Sequence, residues 1–402
     1  MNLKVKIPID WQIKKIDDIS KIYLGLTYTP AYVAIGVPFI SVKDLTETGI
    51  NYSNTKYISR EEFETSTNNA KPQKGDVLFG RVGTLGNPVL IEKEIEVCIF
   101  VSLGYFRLKT NISDPSFVLN WMKSPLFKNQ VDKQVAGGAQ KNLNTGWLKN
   151  FNIPVPPLQE QRAIAHVLGL MDCLINKNNQ LIAQKELQIK WLMQNLLTRK
   201  NRLKGFGGEW KTKTLKNILQ VAGKPFTPVE DGLYQQIGIR SHTKGIFYKD
   251  EVTGAELGNK RVFWIEPNCF VVNIVFAWEH AIAKTTEKEI GMIASHRFPM
   301  YKPKEGIIDL DYLLYYFKSP KGKYLLGLAS PGGAGRNKTL GKSEFMKLQI
   351  PVPSIEEQIS IAQVLQAADK EIQLLKTKTE KLREQKKWMM QVLLTGKKRL
   401  KI

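Results

Sequence analysis

The side chains able to do chemistry are present in this sequence, but not at spacings that would put them to use. Asp114-Pro115-Ser116-Phe117 comes nearest to the Asn/Asp-Pro-Pro-aromatic run expected of adenine methylation. Ser116 stands where the second proline belongs, and a helix start explains the run better. Gly341-Lys342-Ser343 resembles the end of a phosphate loop, yet that loop needs a glycine at position 336, which is Arg336. Gly80, Gly83 and Gly86 are spaced unlike a Gly-x-Gly-x-x-Gly turn. The four histidines, His166, His242, His280 and His296, suggest no triad, and Trp278-Glu279-His280 reads as a binding loop or core in preference to a catalytic site. Cys98, Cys173 and Cys269 are odd in number and far apart, which offers neither a disulfide framework nor a zinc site. The expectation is a chain with no catalytic residue, no metal ligands and no bound cofactor.

What the elements must position instead is set by a repeat. Ile153-Pro154-Val155-Pro156-Pro157-Leu158-Gln159-Glu160-Gln161 returns as Ile350-Pro351-Val352-Pro353-Ser354-Ile355-Glu356-Glu357-Gln358. The offset, 350 − 153 = 197, holds without a gap through Leu203 and Leu400, with about 23 identities over these aligned stretches. Each copy reads as one long helix with a heptad seam. In the first the seam runs Ile164, Leu168, Met171, Ile175, Asn178, Ile182, Lys185, Ile189, Leu192, Leu196. In the second it runs Ile361, Leu365, Ala368, Ile372, Leu375, Thr379, Leu382, Lys386, Met389, Leu393. A 3.5-residue apolar period sustained this long is a coiled-coil signature. Polar interruptions differ between the copies, so they distinguish the two helices. Pro157 suits a first helical turn, and Ser354 with Glu357 predicts a capping box. At about 1.5 Å per residue a helix over 158–196 is roughly 58 Å long, a rod.

Between the rods lie two globular segments, giving residues 1–152, 153–204, 205–349 and 350–402 as globule, helix, globule, helix. Short β-rich runs, such as Gly75-Asp76-Val77-Leu78-Phe79-Gly80, alternate with Gly, Pro and Asn, which predicts mainly β or mixed cores and an α+β fold. Asp114-Pro115 and Ser124-Pro125 each predict a short helix, the first burying Val118, Trp121 and Met122. Lys318-Ser319-Pro320 and the glycine loop 332–337 answer Lys123-Ser124-Pro125 and the loop 137–142. Elsewhere the globules diverge, and 273–280 has no match in the first half. No apolar run or leader predicts a membrane span or secretion, so a cytoplasmic location is expected. Fifty-nine basic against 37 acidic residues leave a net charge of +22, which favours a polyanionic partner.

Taken together, these features resemble the specificity subunit of a type I restriction–modification enzyme, over essentially the whole chain. The Ile-Pro-x-Pro-x-x-x-Glu-Gln runs at 153–161 and 350–358 carry the resemblance most specifically. The Gly-Asp-Val-Leu-Phe-Gly-Arg run at 75–81 and the two glycine loops add to it, although Glu266-Pro267-Asn268-Cys269-Phe270 departs from the Gly-Asp pattern. The resemblance implies two target-recognition domains reading an asymmetric bipartite DNA target. It implies two repeated spacer helices that pair antiparallel, set the half-site separation and dock two adenine-methyltransferase subunits. Restriction and translocase subunits would join them, with S-adenosylmethionine, ATP and Mg held on those partners. The system would serve DNA methylation and phage defence.

Base readout favours Arg, Lys, Asn and Gln at loop tips, whereas phosphates need only donors and positive charge. The first domain offers Lys43, Arg81, Asn87, Gln140, Lys141 and Asn142. The second offers Arg240, His242, Lys244, Lys260, Arg261, His296, Arg297, Arg336, Asn337 and Lys338. Of these, Arg336-Asn337-Lys338 is the leading choice, although the glycine loops adjoin the helix starts and an anchoring role is the alternative. On the helices, Gln161, Trp191, Gln358 and Trp388 are singled out for partner contact or spacer packing. The competing reading is a coiled-coil scaffold that binds nucleic acid non-specifically through charge; a nuclease or methyltransferase with an unfamiliar site is a third.

Overall fold

The computed structural model describes residues 7–47, 49–83, 85–135, 142–332 and 338–401. The chain divides into two compact units, residues 1–179 with 377–402 and residues 180–376. Each boundary falls inside a long helix, so each unit owns one half of both Leu158–Leu196 and Ile355–Leu393.

Inside the first unit a four-stranded antiparallel sheet runs in the order Ser20–Leu24, Leu103–Leu108, Val77–Gly80, Gly86–Leu90. A second sheet orders Lys56–Ile58, Val37–Ile40 and Cys98–Ile99, the last pair parallel. The other unit repeats the plan. Its four-stranded sheet runs Leu219–Ala222, Met300–Pro303, Phe270–Val272, Ile282–Lys284, all antiparallel. Its second sheet has five strands, Pro225–Phe226, Val262–Trp264, Ile293–Ser295, Leu233–Ile239 and Ile246–Thr253. Here too one pair is parallel, through Gln236 and Ile293. The fold is α+β, as the patterning predicts.

The Pro-containing lead-in to each long helix is itself a strand: Asn152–Val155 pairs with Gln12–Lys15, and Gln349–Val352 with Lys211–Thr214. Proline is tolerated because these sheets have only two strands, and a missing N–H can face outward. The cap predicted at Asp114 forms, and the second unit has a counterpart at Asp309. Asp114 accepts from Phe117 N at 3.0 Å to open Pro115–Met122, and Asp309 accepts from Tyr312 N at 2.8 Å to open Leu310–Lys318.

Helix halves lie antiparallel within each unit. In the first, Ile164, Leu168, Met171 and Ile175 are buried, with Leu393 of the other helix in the same core as Ile164 and Leu168. In the second, Ile189 and Leu196 share a core with Ile361, Leu365 and Ile372. The seam lysines cross to acids on the facing helix: Lys386 to Asp172 at 2.5 Å, and Lys185 to Glu371 at 2.9 Å. The predicted capping box is half made. Ser354 Oγ accepts from Glu357 N at 3.4 Å, but the Glu357 carboxylate goes elsewhere, because a stronger partner is in reach.

Candidate nucleic-acid interface

That partner explains the repeated Glu-Gln. Glu357, fully buried, takes Arg202 Nε and Nη2 at 2.9 and 2.5 Å and the indole N–H of Trp210 at 3.1 Å. Glu160 does the same in the first unit, with Arg399 at 3.1 and 2.7 Å and Trp11 at 3.1 Å. Arg399 also forks onto Asp10 at 2.9 and 2.8 Å and holds that carboxyl below its ordinary range. The glutamines complete the joint. Gln161 accepts from Asp114 N at 2.9 Å and donates to the Ile112 and Pro156 carbonyls. Gln358 accepts from Asp309 N at 2.8 Å and donates to those of Ile307 and Pro353. Both glutamines are buried, so they anchor helix to head and serve spacer packing. Trp191 and Trp388, by contrast, are 56% and 49% exposed.

The basic loop residues gather at one sheet edge in each head, and strand direction is the reason. In the second head the parallel pairing of Leu233–Ile239 with Ile293–Ser295 brings their C-terminal ends together, and antiparallel Val262 opposite Ser295 brings the start of the next strand there too. Arg240, Arg261 and His296 therefore leave the sheet on one side. His296 N donates to the Arg261 carbonyl at 3.1 Å, and Ile274 N to that of Arg297 at 3.0 Å. Lys260 and Lys244 flank them, and all of these side chains are exposed.

The loop 273–281, unmatched in the first half, supports this edge. His242 N and Thr243 N donate to the Glu279 and His280 carbonyls at 2.8 and 2.9 Å, and Ser241 Oγ to Glu279 Oε2 at 3.0 Å. His242, Thr243 and His280 all have left-handed backbones, φ 59°, 57° and 65°. For a β-branched residue such as Thr243 this is strained, and such strain collects at ligand clamps. Burial, with Lys323 nearby, pushes the His280 imidazole down to about 4, so it sits neutral within the loop. Leu340 N donates to the Ile274 carbonyl at 2.8 Å, and Lys338 lies 5.9 Å from the Trp278 ring. Phe276 (41% exposed) is an addition that sequence reasoning named only within the unmatched run 273–280, whereas Glu279, read within Trp278-Glu279-His280 as binding loop or core, is the buttress. The only signal for Phe276 was the mismatch of 273–280 between halves.

The first head follows the same rule. Phe100 N donates to the Ile40 carbonyl, Val42 N to Ser102 Oγ at 3.2 Å, Arg81 N to the Ser102 carbonyl and Leu143 N to the Arg81 carbonyl. These bonds draw Lys43, Arg81 and Asn142 to one edge, and Asn87, left-handed at φ 44° and exposed, lies on the neighbouring hairpin. Lys43 is exposed and Asn142 half-buried, bridged to Val82. The Arg81 guanidinium is directed inward to the Leu143 carbonyl at 3.1 Å, so it clamps the loop. Gln140, Lys141, Arg336 and Asn337 lie outside the described residues.

The missing Gly-Asp counterpart is also resolved. Gly75 and Asp76 bond to Ile91 as Asn268 and Cys269 bond to Thr285. Gly75 has φ 90° and Asn268 φ 58°, so asparagine fills a left-handed position that it tolerates better than most residues. Asp76 is buried beneath the Arg107 fork, and Cys269 is buried at the matching position.

Two basic-edged heads, each sealed onto an antiparallel pair of helix halves, define a duplicated nucleic-acid-recognition protein. The chain belongs to the family described as Type I restriction modification DNA specificity domain, whose model matches residues 8–190 and 207–384. It is similar to the type I restriction enzyme MjaVIII specificity subunit of Methanocaldococcus jannaschii, 22% identical over 99% of this chain and 95% of the relative. A chain solved in work on complex assembly and conformational transition of the type I R-M system shares the fold, with TM-score 0.62, 15% identity, and 97% and 98% of the two chains covered. The S subunit from M. genitalium gives TM-score 0.59 at 15% identity over 98% of each chain.

Proposed function

We propose that this chain is the DNA specificity subunit of a type I restriction–modification complex, each head reading one half of an asymmetric bipartite target. The observation that carries this is the pair of heads sharing one scaffold but presenting different loops at the same basic edge. A shared scaffold with unlike loops is what two different half-sites require. The chain itself does no chemistry. It serves two adenine-methyltransferase subunits and, where present, restriction subunits, on which S-adenosylmethionine, ATP and Mg would bind. The exposed Trp191 and Trp388 are contact points for those partners. Among the described residues no helix is long and apolar enough to cross a membrane.

The test is to express the full chain with the methyltransferase subunits of its own system and map methylated adenines genome-wide. A single two-part motif with a fixed gap is expected, and the methyltransferase without this chain should mark nothing. Methylation at unrelated sequences, or binding that collapses evenly with salt for every duplex, would instead identify a charge-driven scaffold.

A further inference from the structure

Rigidity separates the basic side chains of the second head into two kinds, and this gives a deeper reading that rests on the proposed DNA-specificity role. The Arg240 guanidinium carbon lies 5.1 Å from the centroid of the Phe247 ring, and that of Arg261 5.4 Å from the Phe263 ring. Both arginines are exposed at the same sheet edge. Among the described residues neither has an ion-pair partner.

The Phe247 platform is built into the strand register. Gly238 sits opposite Phe247, and a Cβ on Gly238 would lie 2.3 Å from the ring's Cζ. Only glycine lets the ring lie across the neighbouring strand. Arg240, two residues on, shares that face, and its N–H donates to the Gly245 carbonyl at 3.0 Å. Arg107 supplies the contrast. It lies 5.1 and 5.3 Å from the Tyr23 and Tyr105 rings, but its fork is closed by Asp76 at 2.8 Å. Arg240 and Arg261 lie at similar distances from their rings with the fork open.

We propose that Arg240 and Arg261 read guanines in the half-site of the second head, while Lys244, Lys260 and Arg297 hold phosphates. A guanidinium held over a phenyl ring has lost rotamer freedom before binding, and its planar donors match the O6/N7 pair of guanine in the major groove. Lys244 and Lys260 are flexible stems ending in point charges, which suits a backbone contact that carries no sequence information.

The experiment uses the full chain with its own methyltransferase subunits to select from a pool of random duplexes, at several salt concentrations. The wild-type half-site assigned to the second head should contain G·C pairs. Arg240→Ala and Arg261→Ala should each admit other bases at one such pair, lowering preference there roughly ten- to hundredfold and leaving the other half-site unchanged. Arg240→Lys should not restore the preference, since an ammonium cannot fork. Gly238→Ala should weaken the same preference by displacing Phe247. Lys244→Ala should weaken all duplexes alike and reduce the salt slope by about 1.

A second half-site without a G·C pair overturns the proposal, with no variant needed. So does an Arg240→Ala or Arg261→Ala selection identical to wild type, or one weakened evenly with a shallower salt slope. A wild-type complex that selects no sequence at all would overturn the specificity role itself, a different result from a selective wild type with indifferent variants.

Discussion

Glu160 and Glu357 are acidic residues in a strongly basic chain, and both are structural. Each carboxylate is almost wholly buried and ties a tryptophan of its own head to an arginine that follows the other long helix. Removing one partner of a buried pair leaves the other charge unmatched, which typically costs about 3–5 kcal/mol. Glu357→Ala should therefore destabilise the second unit by about 3 kcal/mol, followed in urea by the fluorescence of buried Trp210. Glu160→Ala should cost less, because the Arg399 side chain is 44% exposed and can turn to water, whereas that of Arg202 is 18% exposed. Equal losses would mean that the tryptophan contacts dominate. From sequence the pair Glu-Gln was visible as a repeated motif. That the glutamate faces an arginine 239 positions away was not, because such a contact has no period.

At the scale of elements, the long helices were the most legible feature. Their seam predicted which side chains would be buried, and its two lysines have partners across the pair. Lys386 is 12% exposed and reaches Asp172, itself 40% exposed. Such a pair contributes under about 1 kcal/mol, less than burying an apolar side chain at a seam position. Lys386→Leu should thus raise the thermal midpoint seen by calorimetry. A lowered midpoint would show that the ion pair stabilises more than the apolar side chain would. The sheets were less legible. Their strands are often three or four residues long, and one parallel pairing per head decides which loops meet. Arg81 illustrates the difficulty: it stands at a loop tip in sequence, yet its fork turns back onto Leu143.

For the whole molecule, the division into two units, each with cores of its own, predicts separable recognition. Exchanging residues 205–349 for the matching segment of a relative with a different target should change one half of the methylated motif and leave the other. Methylation mapping reads both halves at once, and a change in both would show that the heads are coupled.

Local chemistry and periodicity in the sequence determined the duplication, the two helices, the Asp114 cap, the α+β heads and the absence of familiar catalytic motifs, because each depends on neighbours a few residues apart or on a self-match. Tertiary structure decided which basic residues stand free, which face inward, and where Asn268 replaces Gly75. Those outcomes follow from strand direction and from ring-on-glycine contact across a sheet, and long-range pairing of that kind leaves no regular spacing along the chain.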